Sequence, residues 1–347
     1  MEWKEYNICQ LCDTISETYK GKSNSVVLIN TSDVLEGKVL NHKRVPNKGL
    51  KGQFKKTFKK NDILYSEIRP ANKRFAYINF SPNDYIASTK LMVLRSKPIV
   101  SSYFLFQILK SEIVLKNLQM LAESRSGTFP QITYSELSNV RVKVPPLPVQ
   151  DKIVGILSAL DAKIENNNKI NANLEAQAEA LFKSWFVDFT PFKDQPFVNS
   201  ELGPIPQGWK VGKADDFYKI NIGKTPPRKE KEWFSKNESD NKWISISDMG
   251  NCGLFISNSA EKLTNAAIKK FNISLVPVNT ILLSFKLTIG RVAISDCDLT
   301  TNEAIARFIL PDECYLEFSF LMLKLYNYST LGSTSSIATA VNSKRTR

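Results

Sequence analysis

Residues able to catalyse a reaction or hold a metal are few in this chain. It has one histidine, His42, and five cysteines. A Ser/His/Asp triad needs a histidine oriented by an acid, and His42 lies in a lysine run with no acidic neighbour in sequence. Cys9 and Cys12 have the spacing of half a zinc site, but a closed site takes four ligands. We interpret the cysteines as reduced thiols and expect no catalytic centre, metal or cofactor in this chain.

The charge of the chain indicates its class of partner. Its 47 lysines and arginines exceed its 34 acidic residues, which gives a formal charge of +13 and a pI near 9.3. Such a surface attracts polyanions, so nucleic acid and an anionic membrane face are the candidates. No run approaches the roughly 20 apolar residues that span a bilayer, and the opening residues lack the apolar core of a signal peptide. We therefore expect a cytoplasmic protein.

The most basic stretch runs from Gly37 to Asn61 and contains no acidic residue. Lysines there can contact phosphates, and arginine can also donate two hydrogen bonds to a guanine edge. The alternative is a solvated surface loop. The candidate DNA contacts in this stretch are Lys43, Arg44, Lys48, Lys51, Lys55 and Lys56.

Four further loops combine basic or hydroxyl side chains with turn residues. Loops that follow strands can reach a groove of DNA, although glycine, proline and serine also form ordinary turns. The candidates in the first half are Arg69, Lys73, Arg74, Arg125, Ser126 and Thr128, and those in the second half are Lys224, Thr225, Arg228, Lys286, Thr288 and Arg291.

A long amphipathic helix is predicted in the middle of the chain, over about residues 149–187. Apolar residues recur in steps of four and three, the heptad pattern of a coiled-coil seam, and the helix measures about 55–60 Å at 1.5 Å per residue. A buried core helix is the alternative, but such helices usually run about 8–20 residues. The two asparagines in the seam favour selection of one partner helix. The seam comprises Ile153, Leu157, Leu160, Ile164, Asn167, Asn171, Leu174, Ala178, Leu181 and Trp185.

Short β-branched and aromatic runs separated by turn residues flank the helix, which predicts mixed α/β domains. The two flanks also match one another. Trp3-Lys4 corresponds to Trp209-Lys210, NDILYS (61–66) to NTILLS (279–284), and SGTFPQI (126–132) to GSTSSIA (332–338). We predict an α+β protein with a first domain at 1–144, a spacer helix at 145–190, a linker at 191–208 and a second domain at 209–347. Two basic domains joined by a rigid helix are typical of a protein that binds two sites on one polymer.

The central segment from VPPLPVQDKI to FVDFTPF, followed by SELGPIPQGW, resembles the conserved region of the specificity subunits of Type I restriction-modification enzymes. GKTPPRK, WISISDMG, VPVNTILLSF, IGRVAI and TNEAIA are similar to that family's recognition-domain pattern. The resemblance implies a non-catalytic subunit whose two target recognition domains each bind half of a bipartite DNA site. It also implies docking of methylation subunits, which use S-adenosylmethionine, and of a motor-nuclease subunit, which uses ATP and magnesium.

The second half departs from the family pattern, because the proline-led segment and second conserved helix expected after it are missing. A truncated or variable allele that self-associates through its central helix is therefore an alternative interpretation. A structural coiled-coil protein would explain the helix but not the basic repeats. A self-sufficient modification enzyme would need a methylation motif of the NPPF type, which does not occur in the sequence.

Overall fold

The computed structural model describes residues 2–50, 52–125, 128–312 and 315–328. The chain divides into two compact units, Met1–Asn167 and Asn168–Arg347. Lys51, Ser126 and the SGTFPQI/GSTSSIA repeat lie wholly or partly outside the described residues.

The first unit contains twelve described strands and four short helices before the long one. The strands are β1 (Lys4–Asn7), β2 (Cys12–Ile15), β3 (Ser25–Ile29), β4 (Val34–Leu35), β5 (Lys38–Val39), β6 (Arg44–Pro46), β7 (Phe54–Lys56), β8 (Ile63–Ser66), β9 (Phe75–Tyr77), β10 (Tyr85–Ser88), β11 (Leu91–Ser96) and β12 (Arg141–Val144). The helices are α1 (Ile8–Leu11), α2 (Ser102–Leu109), α3 (Glu112–Arg125) and α4 (Tyr134–Ser138), and the long helix is α5 (Leu147–Phe182).

Two four-stranded sheets form the centre of the first unit, in the orders β2-β11-β8-β9 and β6-β3-β10-β7. Strand β11 is apolar on both faces because it separates two cores. Met92 and Leu94 pack in the core that contains α2 and α3, whereas Leu91 and Val93 pack in the core shared with β3 and β10. This is the alternation that a period of two residues imposes on a strand buried on both faces.

The second unit has eleven described strands and four short helices. The strands are β13 (Phe197–Ser200), β14 (Gly203–Pro206), β15 (Lys219–Ile222), β16 (Phe234–Ser235), β17 (Asn241–Ile244), β18 (Phe255–Ile256), β19 (Glu261–Leu263), β20 (Ile281–Ser284), β21 (Val292–Ser295), β22 (Thr300–Thr301) and β23 (Ile305–Ile309). The helices are α6 (Ala214–Phe217), α7 (Ile246–Asn251), α8 (Asn265–Lys270) and α9 (Leu316–Leu325).

The topology of the second unit repeats that of the first. Its main sheet has the order β15-β23-β20-β21-β18, in which the first four strands correspond to β2-β11-β8-β9. The other sheet, β16-β19-β17-β22, contains a parallel pair, β17 with β22, as the first unit pairs β3 with β10. Helix α9 packs on Ile281 and Leu283 of β20, as α2 packs on Ile63 and Tyr65 of β8. Two repeated mixed α/β domains and a long central helix are therefore confirmed.

Helix α5 has 36 residues and continues into a π-helical turn at Lys183–Val187, so its α-helical part is about 54 Å long. The buried side chain of Gln150 fixes its start. The amide donates to the carbonyls of Ile99 (3.1 Å) and Pro145 (2.9 Å) and accepts from the backbone N–H of Ser101 (2.9 Å). Within the second unit, Lys324 Nζ lies 2.9 Å from Glu179 and 3.4 Å from Glu175.

The segment expected to be a linker contains an ordered hairpin, β13–β14. Aromatic residues before and after this hairpin form a cluster. Phe186, Phe189 and Phe192, which precede it, contact the ring of Trp209, which follows it, at centroid distances of 5.2–6.3 Å. Sequence periodicity cannot show such a cluster, since its members come from a helix end, a turn and a loop.

Candidate nucleic-acid interface

The loop Ser66–Arg74 follows strand β8 in the first unit, and a backbone hydrogen bond joins its two ends. The backbone N–H of Ser66 donates to the Arg74 carbonyl at 2.9 Å. The Arg74 guanidinium donates to the carbonyls of Ser32 (3.0 Å) and Val34 (3.3 Å). Arg74 therefore fixes the loop to a neighbouring turn.

Arg69 lies between the closed ends of this loop and is exposed. Its backbone N–H donates to Pro130 at 3.0 Å, and its Nη2 donates to the Thr128 carbonyl at 3.3 Å. The loop thus brings Arg69 beside Thr128, another of the candidate DNA contacts. Lys73, also exposed, pairs with Glu36 at 3.1 Å.

The equivalent loop of the second unit, Ser284–Arg291, is closed in the same way. The backbone N–H of Ser284 donates to the Arg291 carbonyl at 2.9 Å, and Arg291 Nη1 donates to the Ile246 carbonyl at 2.7 Å. A Cβ at Gly250 would lie 2.3 Å from that guanidinium, so glycine makes room for it. Lys286 is half-buried and Thr288 is exposed on the same loop.

The basic stretch of the first unit separates into exposed and structural cations. Lys43, Lys48 and Lys55 are exposed. Lys56, by contrast, donates to the carbonyls of Thr89 and Leu91, each at 2.9 Å, and burial lowers the pKa of its ammonium group. Arg44 is exposed and also donates to the Ser25 carbonyl at 3.0 Å.

Arg125 and Glu136 form a partly exposed ion pair at 2.7 Å. Burial acts to raise the pKa of Glu136, but hydrogen bonds from the Thr133 backbone and hydroxyl, together with Arg125, offset that effect and lower it. The carboxylate therefore stays ionised at neutral pH, where it caps α4 and orients Arg125.

The GKTPPRK loop of the second unit begins at Gly223, where a Cβ would lie 2.1 Å from the Asn302 carbonyl oxygen. Only glycine fits so close to a backbone oxygen. Lys224 donates to the carbonyls of Phe271 (3.2 Å) and Asn272 (2.9 Å). Thr225 donates a hydrogen bond to Glu303.

Arg228 is an exposed cation of this loop. Its guanidinium carbon lies 4.5 Å from the centroid of the Trp243 ring and 4.6 Å from that of Phe234, and its Nη1 pairs with Glu261 at 2.6 Å. Cation–π contacts with two rings, together with the ion pair, hold the guanidinium in place. The side chain is therefore positioned before any ligand binds.

Sequence reasoning did not identify Arg307, which is 1% exposed within β23. Its guanidinium donates to the Ser274 carbonyl and hydroxyl (3.0 and 2.9 Å), the Thr301 hydroxyl (3.0 Å) and the Ile222 carbonyl (3.1 Å). Burial lowers its pKa to about 10, so it remains charged at neutral pH. Arg307 therefore joins the end of β15, which the GKTPPRK loop follows, to Ser274 and to Thr301 of β22.

His42 and Cys12 have structural surroundings. His42 Nδ1 lies 2.8 Å from the Tyr85 hydroxyl. Cys9 is exposed and Cys12 is buried, and burial raises the pKa of Cys12 to about 12, so its thiol is protonated at neutral pH. In the part of the chain that the structure describes, no cluster of three or more potential metal ligands occurs, and no helix is both long and apolar enough to cross a membrane.

The predicted helix seam is exposed in the middle of α5. Leu160, Ile164 and Leu174 are 56%, 58% and 56% exposed. Asn167 and Asn171 lie between them and are also exposed, as are Leu181 and Trp185 farther along. Ile153 and Leu157 at the start of the seam, and Ala178 before Leu181, are half-buried.

A family model matches most of the chain. The model describes the Type I restriction modification DNA specificity domain, and it matches twice, at residues 1–176 and 206–344. The two matches agree with the duplicated topology.

Individual proteins show the same likeness. The Type I restriction enzyme HindI specificity subunit of Haemophilus influenzae is 34% identical over 93% of this chain and 82% of that protein. The MjaIX specificity subunit of Methanocaldococcus jannaschii is 33% identical over 54% of this chain and 43% of that protein. Among solved structures, the HsdS subunit of Thermoanaerobacter tengcongensis is 17% identical with a TM-score of 0.41, covering 92% of this chain and 79% of that one. The S subunit of M. genitalium is 16% identical with a TM-score of 0.46, covering 93% and 77%.

Proposed function

The chain belongs to the Type I restriction-modification DNA specificity family, and on that premise we propose that it recognises a bipartite, asymmetric DNA target. The domain of residues 1–144 binds one half-site and the domain of residues 209–347 binds the other. Specificity subunits of this family are not catalytic. They bind DNA and assemble with the methylation and motor-nuclease subunits that carry out the reactions.

The duplicated loop architecture is the observation that carries this proposal. Each domain presents one loop after its central strand, closed by the same backbone bond and by an arginine, Arg74 or Arg291, that binds a neighbouring carbonyl. A rigid loop on a sheet can hold a base-contacting side chain in one place. Two such loops of different sequence suit two half-sites of different sequence.

The candidate contacts divide by their surroundings into three roles. Exposed lysines such as Lys43, Lys48 and Lys55 suit phosphates, which set affinity rather than sequence. Arg69 and Arg228 are held by neighbouring groups with donors remaining for a guanine edge. Lys286 also suits a phosphate, and Lys51 and Ser126 remain candidate DNA contacts. The remaining candidates contribute by shaping or flanking these loops: Arg44, Lys56, Lys73, Arg74, Arg125, Thr128, Lys224, Thr225, Thr288 and Arg291.

The central helix sets the distance between the half-sites. Its α-helical part of about 54 Å corresponds to between one and two turns of B-DNA, which repeats every ~34 Å. The gap of unspecified sequence between the half-sites would follow from this length.

The exposed seam of the helix is the docking surface for partner helices. Three aliphatic side chains more than half exposed on one helix are costly in water, and the asparagines would restrict which helix can pair with them. Methylation subunits are the proposed partners, and a second copy of this chain is the alternative. Light scattering of the purified chain distinguishes them, since a monodisperse monomer excludes self-association.

The partner subunits carry out the methylation and cleavage reactions. S-adenosylmethionine would bind the methylation subunits, and ATP with magnesium would bind the motor-nuclease subunit, with the complex acting on DNA in the cytoplasm. The experiment is to coexpress the chain with its methylation subunits and to sequence methylated sites across the host genome. We expect one bipartite motif with two unlike halves. A continuous motif, or methylation without sequence preference, would contradict the proposal.

A further inference from the structure

Arg69 and Leu287 occupy equivalent positions in the two domains. Strands β8 and β20 pair with corresponding neighbours, β11 and β9 in one domain and β23 and β21 in the other. The loops that follow begin at Ser66 and Ser284 and are closed by the same backbone bond. Three residues into each loop the backbone is left-handed, with φ of 44° at Arg69 and 62° at Leu287.

Leu287 has neither a conformational nor a packing reason to be leucine. A positive φ brings Cβ close to backbone atoms, so glycine and asparagine are favoured there. The Leu287 side chain is 68% exposed, and little apolar burial offsets the strain. Neighbouring groups fix the loop, since the Ser284 hydroxyl donates to the Thr288 carbonyl and accepts from the Arg291 N–H at 3.0 Å. Strained residues that the surrounding structure holds in place cluster at binding sites.

We propose that Leu287 determines specificity by contacting the C5-methyl group of a thymine in the half-site of the second domain. Thymine alone among the four bases presents a methyl group in the major groove, and aliphatic side chains recognise it by apolar contact. Lys286, next in the chain, suits an adjacent phosphate. The proposal rests on the function proposed above, because it presupposes that this domain binds DNA.

The two domains would then differ in chemistry at one equivalent point. Arg69 offers N–H donors, which match the acceptors of guanine, whereas Leu287 offers only apolar contact. One loop scaffold would therefore select a different base in each half-site.

The experiment removes the methyl group alone. In the complex with methylation subunits, each thymine of the second half-site is replaced in turn by deoxyuridine, and the dissociation constant is measured. At one position we expect binding to weaken about four-fold, which corresponds to roughly 0.8 kcal/mol for one buried methyl group. Leu287→Ala should bind both duplexes equally. Leu202→Ala is the matched control, since Leu202 is 81% exposed in the turn between β13 and β14, and it should retain the four-fold ratio.

A second variant serves as the control for misfolding. Leu287→Gly should melt at the same temperature as the parent or higher, because glycine relieves the strain at positive φ, while losing the preference for thymine. Three results would overturn the inference: equal binding to thymine and deoxyuridine at every position, a preference for thymine retained in Leu287→Ala, or a second half-site that contains no thymine. Each of these results would leave the proposed bipartite function intact. Absence of sequence-specific binding by the complex would overturn both.

Discussion

Arg74 in the first domain and Arg291 in the second perform the same task, since each closes its loop and donates to a carbonyl of a helical turn. Lys110 and Lys324 also correspond, because each pairs with acidic residues of α5 within its own unit, Lys110 with Asp161 at 3.9 Å and Lys324 with Glu175 and Glu179. The groups that hold the loops and the helix are duplicated. The loop residues between them are not.

The cores also differ at one equivalent position. Val93 pairs with Leu64 in the first domain, and Arg307 pairs with Leu282 in the second. Val93 packs among apolar side chains, whereas Arg307 is surrounded by carbonyl and hydroxyl acceptors. The second domain thus has a buried cation that joins the end of β15 to Ser274 and Thr301, where the first domain has an apolar side chain.

The largest effect is expected for Val93→Arg, which places the residue of the second domain into the first. A guanidinium in this apolar core would lack the acceptors that surround Arg307, and burying an unpaired charge costs roughly 4 kcal/mol or more. Urea unfolding of the purified chain measures this cost. Val93→Ile, the apolar control, should cost less than about 1.5 kcal/mol, and a similar small loss for Val93→Arg would show that the site tolerates a cation.

The reverse exchange, Arg307→Val, should destabilise the second domain by about 2–4 kcal/mol. It removes hydrogen bonds to several buried acceptors and leaves a cavity. Hydrogen exchange should show new opening at residues 222–228 and unchanged protection in the first domain. Equal exchange in both domains would contradict the local role of Arg307.

A smaller effect, confined to DNA binding by one domain, is expected when the arginine that anchors the loop of that domain is removed. Arg74→Ala should weaken binding through the first half-site about ten-fold, and Arg291→Ala through the second, because each removes charge-assisted hydrogen bonds worth about 1.5–3 kcal/mol. Binding of the complex to duplexes altered in one half-site separates the two effects. If either variant weakens both half-sites alike, the loops do not act independently.

The smallest effect distinguishes two adjacent lysines in the first domain. Lys55→Ala should weaken binding to all sequences and reduce the slope of log K against log salt by about 0.9, because one phosphate contact is lost. Lys56→Ala should leave that slope unchanged and lower stability instead, since its ammonium group bonds Thr89 and Leu91. The same salt slope for both variants would remove the distinction between binding and structural lysines.

Local sequence patterns were sufficient to predict the helix, the short strands and the duplication, because each follows from periodicity or self-similarity. They did not separate Lys56 from Lys55, since the acceptors of Lys56 lie more than 30 residues away in the chain. Gln150 and Arg307 were missed for the same reason. One signal was present for Arg307, because a single arginine within the apolar run AIARFIL must be buried with its partners.

The central claim is that the length of α5 fixes the separation of two independently acting domains, and insertion of one heptad after Ala162 tests it most directly. Seven residues lengthen the helix by about 10.5 Å, and this length corresponds to about 3 base pairs of B-DNA. The insertion rotates the two parts of the helix relative to each other by only ~20°, because seven residues make nearly two full turns. Insertion of seven residues after Glu201, in the turn between β13 and β14, is the control. Sequencing of methylated sites should show both half-sites unchanged and the gap longer by about 3 base pairs for the helix insertion alone. An unchanged gap, or altered half-sites, would contradict the account.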